Sequence, residues 1–298
     1  MHALNKARKF RLPLMAGAVA LLLAFAACGS DAGSQARPSA APTLDAQPVA
    51  DLQESFVRHE HSSNRQPGAD DMRVAIVSPT DGTTFSNNVL PLVVDTNGFE
   101  LSTAGMGKGD LSGRGHLHVY LDDVLVNYYS TPRINLSMQN KEPGTHTVKV
   151  VPAQNSHREI EENAETIEVN WQPTSPPPVI QPARFAGEPT VQILDPQPDA
   201  SVGDLVRVRI NVKSFNLNAD LMGKDGVDGY GHWHAHLATG TPTDQDPGSL
   251  LAMGAAKEFV LDTSGLQKGA IYTLVVQLTE NGHSPISGAS DQIQIRIA

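Results

Sequence analysis

One pattern appears twice in this chain of 298 residues, and it constrains the fold more than any other feature. The first copy reads Met106-Gly107-Lys108 and then Gly113-Arg114-Gly115-His116-Leu117-His118-Val119-Tyr120-Leu121. The second reads Met222-Gly223-Lys224 and then Gly229-Tyr230-Gly231-His232-Trp233-His234-Ala235-His236-Leu237. The two align without a gap at a constant offset of 116. A later segment repeats at an offset of 126, matching His146 through Gln154-Asn155-Ser156-His157 to Tyr272 through Glu280-Asn281-Gly282-His283. The chain therefore holds two copies of one folding unit, each with a His-x-His pair and one later histidine. His146 matches Tyr272, so imidazole is not demanded there, and Tyr272 is a candidate tyrosine corner.

The unit reads as β-structure. Gly 25, Pro 21 and only 18% charged residues suit a turn-rich sheet protein. In the first half, residues 74–77, 89–95, 116–121, 124–129, 134–138, 146–151 and 166–171 read as seven short strands. Their spacing is that of an immunoglobulin-like sandwich. The second half repeats the plan, with strands over 191–194, 206–212, 257–262, 272–278 and 292–297. The expected fold is all-β: two tandem immunoglobulin-like β-sandwiches over 72–171 and 189–298, joined by a Pro-rich linker over 172–188.

Ahead of them, residues 1–27 read as a lipoprotein signal peptide. Lys6, Arg8, Lys9 and Arg11 precede an apolar run, and Phe25-Ala26-Ala27-Cys28 resembles a bacterial lipobox. Cys28 is the single cysteine and the candidate lipidation site. An acyl anchor there would hold the chain to a membrane while its domains stay in water. Residues 28–71, rich in Ala, Ser, Pro and Gln, read as a disordered tether with one short helix over 51–61; His59 and His61 in it are solvated. The expected location is the cell envelope; Gly29 and Ser30 after Cys28 lack an inner-membrane retention Asp, which is compatible with the outer membrane where a cell has two and leaves open which membrane holds the anchor. Residues 1–27 hold four basic and no acidic side chains; without them 18 Lys and Arg face 32 Asp and Glu, a formal charge of −14. That excess of negative charge argues against nucleic acid as a partner and for cations or basic proteins.

Strand geometry says where the histidines go. Residues two apart share a face, so His116 and His118 point one way while Leu117, Val119 and Leu121 point into the core. Trp233, Ala235 and Leu237 do the same opposite His232, His234 and His236. In such a sandwich the third and sixth strands are antiparallel neighbours. His157, just past the sixth strand, should then join His116 and His118, and His283 should join His232 and His234. Three neutral imidazoles can hold a borderline ion, copper or zinc. His236, Met106 and Met222 are additional candidate ligands, a thioether tilting a site toward Cu(I).

These residues resemble a family of bacterial extracytoplasmic immunoglobulin-like domains of unknown function. That family carries a Gly-His-x-His-Leu-x-x-Asp signature and a later Asp/Glu-x-Asn-His. Here the matching pieces are Gly115-His116-Leu117-His118 with Asp122, and Gln154-Asn155-Ser156-His157. The copies depart from the pattern in Ala238, which replaces the acid at Asp122, and in the residue between each Asn and its His. The resemblance implies a fold and a compartment and supplies no activity. The His-x-His also looks locally like the copper-ligand pair of copper/zinc superoxide dismutases, but the further ligands and the disulfide of that protein are missing.

Three functions fit. The first is a lipid-anchored, non-enzymatic copper- or zinc-binding protein with one site per domain. The second is a structural or adhesive tandem module with a protein or glycan partner and no metal. The third is a three-His metal-dependent enzyme, with Asp122 or Glu280 as base. No nucleophile elbow, phosphate loop or paired catalytic carboxylate supports the third.

Overall fold

The structure, a computed structural model, describes residues 68–298, which fall within one compact unit. The signal peptide, Cys28, most of the tether and the short helix read over 51–61 lie outside the described residues.

Each half contributes nine strands in matching order. The first half has β1 (Arg73–Ser78), β2 (Thr83–Phe85), β3 (Val89–Asn97), β4 (Glu100–Leu101), β5 (Arg114–Leu121), β6 (Val124–Tyr129), β7 (Arg133–Ser137), β8 (Gly144–Gln154) and β9 (Glu165–Trp171). The second has β10 (Thr190–Asp195), β11 (Ala200–Val202), β12 (Leu205–Lys213), β13 (Asn216–Leu217), β14 (Tyr230–Ala238), β15 (Ser249–Gly254), β16 (Glu258–Asp262), β17 (Ile271–Glu280) and β18 (Pro285–Ile297). A three-stranded sheet, β1-β3-β7, faces a six-stranded one, β2-β9-β8-β5-β4 with β6 beside β5. The second half repeats this as β10-β12-β16 against β11-β18-β17-β14-β13, with β15 beside β14. Two tandem immunoglobulin-like sandwiches result, with no α-helix among the described residues.

Alternation makes the cores. Leu90, Leu92 and Val94 of β3 face Leu117, Val119 and Leu121 of β5 in one apolar cluster, which also holds Trp171. Val206, Val208, Ile210 and Val212 of β12 meet Trp233, Ala235 and Leu237 of β14 in the other. Each buried tryptophan has its N–H satisfied, Trp171 by the Asn87 carbonyl at 3.0 Å and Trp233 by that of Ala256 at 2.8 Å, as a buried polar handle requires.

Four strands escape a reading of the sequence because they are short: β2, β4, β11 and β13 have two or three residues each and pair parallel to a neighbour. β15 was also missed, since Ser249–Gly254 follows a Gly- and Pro-rich loop and shows no alternation. Tyr272 makes no corner hydrogen bond among the described residues; it lies half-buried against the second core. The linker runs along both bodies. Asn88, Gln139 and Asn140 donate to the carbonyls of Ser175, Pro178 and Ile180, and the Ala183 N–H donates to the Asp228 carbonyl.

The outer face of each large sheet is not left to water. His116, His118 and Tyr120 point away from the first core yet are buried, and His232, His234 and His236 are buried in the second. The reason is that the two sandwiches dock through these faces reciprocally. Gly107 lies against the Leu250 carbonyl of β15, so close that a Cβ would sit 2.1 Å from the oxygen. Gly223 lies against the Leu125 carbonyl of β6, where a Cβ would sit at 2.6 Å. Leu125 and Leu250 are equivalent, since Tyr120 pairs Leu125 and His236 pairs Leu250. Lys108 crosses the junction as well, donating to the Ser264 carbonyl at 2.6 Å and standing 3.6 Å from Asp262.

Candidate metal centre

β5 and β8 are antiparallel neighbours, with Gly115 opposite Gln154 and His116 opposite Ala153. β14 and β17 repeat this with Gly231 opposite Glu280. The third histidine of each set arrives from the turn after the second strand. There the His157 N–H donates to the Gln154 carbonyl at 3.0 Å, and the Gln154 N–H to the Arg158 carbonyl at 2.8 Å. His283 repeats the pattern with Glu280 at 3.1 Å, and Glu280 with Ser284 at 2.8 Å. This is a tight turn closed by a left-handed residue, a position that glycine ordinarily fills. Here it is histidine twice, at φ 67° for His157 and 71° for His283. A side chain in that conformation costs on the order of 1–2 kcal/mol, so in both copies the imidazole is kept against a local penalty.

The turns are held by buried asparagines. The Gly107 N–H donates to the Asn155 carbonyl at 2.7 Å, and the Gly223 N–H to that of Asn281 at 2.9 Å. Gly105 leaves room for the Asn155 side chain, which a Cβ would meet at 2.1 Å. The repeated Met-Gly-Lys loop therefore closes over the repeated Asn-x-His turn.

The result is two triads. His116 Nε2 lies 3.0 Å from His118 Nε2 and 3.0 Å from His157 Nδ1. His232 Nε2 lies 3.0 Å from His234 Nε2 and 2.8 Å from His283 Nδ1, and His234 Nε2 lies 3.3 Å from His283 Nδ1. An ion bound by imidazoles at ~2.0–2.1 Å in tetrahedral geometry spaces its nitrogens by about 3.3 Å, and by slightly less if the angles close toward 90°. The five separations just given are close to this size, and the three ligand nitrogens of each triad lie within 4.8 Å of one another.

Hydrogen bonds orient the rings. His157 donates its Nε2 proton to the Leu250 carbonyl at 2.7 Å, and His283 donates its own to Leu125 at 2.7 Å. Each leaves the Nδ1 lone pair aimed at the triad, and each crosses the junction between sandwiches. In the first triad His118 donates from Nδ1 to Glu159 at 2.5 Å, leaving its Nε2 lone pair inward. Tyr120 donates its hydroxyl to the same carboxylate. Burial would raise the Glu159 carboxyl, but the hydrogen bonds from His118 and Tyr120 outweigh it and hold it at about 2. A carboxylate behind a histidine ligand fixes its tautomer and raises its basicity.

Four of the six rings resist protonation. Burial, reinforced by His157 and His118, pushes the His116 pKa well below the ordinary histidine value. Burial and His283 do the same to His232, and burial with the neighbouring imidazoles to His234. His283 is lowered by burial against the raising effect of its bond to Leu125. Neutral rings with lone pairs are the form in which histidine ligates.

The other candidates sit apart. His236 donates from Nδ1 to the Gly248 carbonyl at 3.0 Å, its ring 5.9 Å from that of His234. Met106 and Met222 are buried in the junction loops and belong to neither apolar core. Asp122 is engaged at the far end of β5 by His146 at 2.9 Å, by Lys141 and by the Thr147 N–H at 3.1 Å, and Glu280 is exposed. Neither is a base poised over a triad.

Sequence reasoning missed three neighbours. Glu159 and Tyr128 were silent because only strand register brings them in: Tyr128 pairs His118 and stacks on it at 4.2 Å, and its ring lies 4.4 Å from that of His157. Met253 pairs His234 in the same way across β14 and β15. Recognition of β15 would have found Met253; nothing local marks Glu159.

No family profile and no curated protein matches the chain. Solved structures similar to it include fibronectin(III)-like modules of CbhA from Clostridium thermocellum, at 14% identity and TM-score 0.24 over 75% of this chain and 93% of that one. The FN1-FN3 domains of chicken CNTN1 are similar at 13% identity and TM-score 0.22, over 76% of this chain and 66% of that one. Scores this low carry no argument about what the chain does.

Proposed function

We propose that this protein binds a first-row transition metal, copper or zinc, at one three-histidine site in each sandwich, and that it does so outside the cytoplasm, anchored to a membrane through lipidated Cys28. The observation that supports the metal reading is the repeated nitrogen triangle, in which His116 Nε2 and His232 Nε2 each lie 2.8–3.0 Å from both other ligand nitrogens in buried surroundings. Three nitrogen ligands suit Zn²⁺ or Cu²⁺, and copper is favoured over zinc by such a site at equal availability. The chain is then a store, carrier or sensor, a reading supported by the engagement of Glu159, the carboxylate beside the first triad, with His118 and Tyr120. The anchor rests on the Phe25-Ala26-Ala27-Cys28 stretch.

Elemental analysis of protein purified without an affinity tag tests the metal reading. Two equivalents of copper, zinc or both per chain are expected; protein that takes up neither on dialysis against them contradicts it. For the anchor, Cys28→Ser should move the protein from the membrane pellet to the soluble fraction.

A structural reading has its own observation. His157 and His283 each bond the backbone of the opposite sandwich, so the clusters also join the two bodies. On that reading, replacing these histidines lowers the melting temperature and leaves metal content at zero throughout.

A further inference from the structure

The two triads match atom for atom, but the groups next to them do not. In the first, Glu159 accepts from both His118 and Tyr120. At the 126 offset its counterpart is Pro285, and at the 116 offset Tyr120 is replaced by His236. Among the described residues no carboxylate hydrogen-bonds to His232, His234 or His283, whose partners are one another and the Leu125 carbonyl. Tyr128, stacked on His118, is replaced by Met253 opposite His234.

Two independent physical arguments follow. The first concerns charge. A divalent ion among three neutral imidazoles leaves two positive charges in a buried, poorly polarisable place, which is costly without a counter-charge. Glu159 supplies one negative charge directly behind a ligand of the first triad. The second triad has none, so an ion with a single charge is better tolerated there. The second argument concerns softness. Directly opposed residues on neighbouring strands have Cβ atoms roughly 4.5–5.5 Å apart on the same face. Methionine, unbranched and flexible, readily spans that gap. Met253 is half-buried, and its thioether is a soft ligand that prefers Cu(I), whereas the Tyr128 phenol stacked on His118 offers only a hard oxygen.

We propose that the sites are specialised: His116, His118 and His157, backed by Glu159, hold a divalent ion, while His232, His234 and His283 with Met253 hold Cu(I). This rests on reading the triads as metal sites and goes beyond it by assigning each its ion. The protein then carries two oxidation classes of ion side by side, one on each side of a single junction.

The test loads the untagged full chain anaerobically with Zn²⁺ and Cu(I) together, with bicinchoninate present as a competing Cu(I) chelator. One zinc and one copper per chain are expected, and copper-edge X-ray absorption should show a sulfur neighbour in the copper shell. Met253→Leu, close to volume-conserving, should remove the sulfur signal and weaken copper retention with zinc unchanged. Glu159→Gln keeps an acceptor for Tyr120 and should lower zinc affinity by about 10–100-fold, the usual cost of losing such a supporting group, with copper unchanged. Circular dichroism confirms that both variants fold. A nitrogen-only copper shell in the unaltered chain, two ions of one kind under mixed loading, or both substitutions weakening the same ion would overturn the assignment while leaving metal binding standing. A chain that binds neither ion overturns the assignment together with the reading beneath it.

Discussion

In the first sandwich His118 gives its outer proton to Glu159 and lies under Tyr128; in the second, His234 faces Met253, and Pro285 stands where Glu159 would be. Between the two copies most of the chain has changed, including the strand residues around the triads. Among what has not changed are the His-x-His, the left-handed histidine, the buried asparagine before it and the glycine that meets the opposite sandwich. Those four features together make and cover a nitrogen triangle. The comparison teaches that the triangle is the fixed requirement, and that the layer outside it is where the copies were free to diverge.

If the triads are equivalent and independent, breaking one should leave the other. His116→Ala with His118→Ala should reduce the metal content from two equivalents to one, and His232→Ala with His234→Ala should do the same. Loss of both ions from either pair would show that the sites form only together.

The junction comes next in size. Gly107 and Gly223 have φ of 70° and 68° and touch backbone oxygens of the opposite sandwich. Gly107→Val and Gly223→Val should each cost roughly 1–3 kcal/mol in backbone conformation alone. The clash then pushes the bodies apart, seen as a lower melting temperature and a longer particle in small-angle scattering. If one substitution is silent, the docking is not reciprocal.

Acid should reveal the clusters before any other feature. Histidine titrates near 6.5 in an unfolded chain, while burial lowers His116, His232, His234 and His283 in the folded one. Between these values the unfolded state binds more protons, so the stability present above pH ~6.5 is lost as pH falls below it. Each group adds a slope of up to ~1.4 kcal/mol per pH unit in that window. Urea midpoints of metal-free protein at pH 7.5, 6.5 and 5.5 should drop in that order, and metal should move the fall to lower pH because bound imidazole resists protonation. A flat series would mean that the rings titrate alike in the folded and the unfolded chain.

The smallest effect separates the copies away from the triads. His146 donates to Asp122 and sits 2.9 Å from the Glu142 carbonyl, whereas Tyr272 makes no such bond. His146→Tyr should cost about 1–3 kcal/mol, because it takes the imidazole from a carboxylate that Lys141 and Thr147 then hold alone. Tyr272→His should change little, and thermal melts of the two single variants decide it.

Much of this was legible in the residues themselves. Alternation placed Leu117, Val119 and Leu121 inward and so placed His116 and His118 together, and the repeat carried the same inference to His232 and His234. The meeting with His157 and His283 followed from the strand order of a sandwich. What stayed hidden depends on contacts far apart in sequence. Tyr128 reaches the first triad, and Met253 comes opposite His234, only through register across β5–β6 and β14–β15, and Glu159 arrives through the exit of its turn. The burial of the outer sheet faces had no sequence signature, because it arises where one sandwich meets the other. Sequence alone suggested a cluster at each sandwich end; the junction over both triads became visible only with Leu125 and Leu250 in place.

The most direct test is anomalous diffraction at the copper and zinc edges from crystals of metal-loaded protein. The account predicts two peaks per chain, one within about 2.0–2.1 Å of the nitrogens of His116, His118 and His157, and one likewise placed among His232, His234 and His283. Loaded crystals with no peak at either triad, or with ions held only at surface carboxylates, would contradict it.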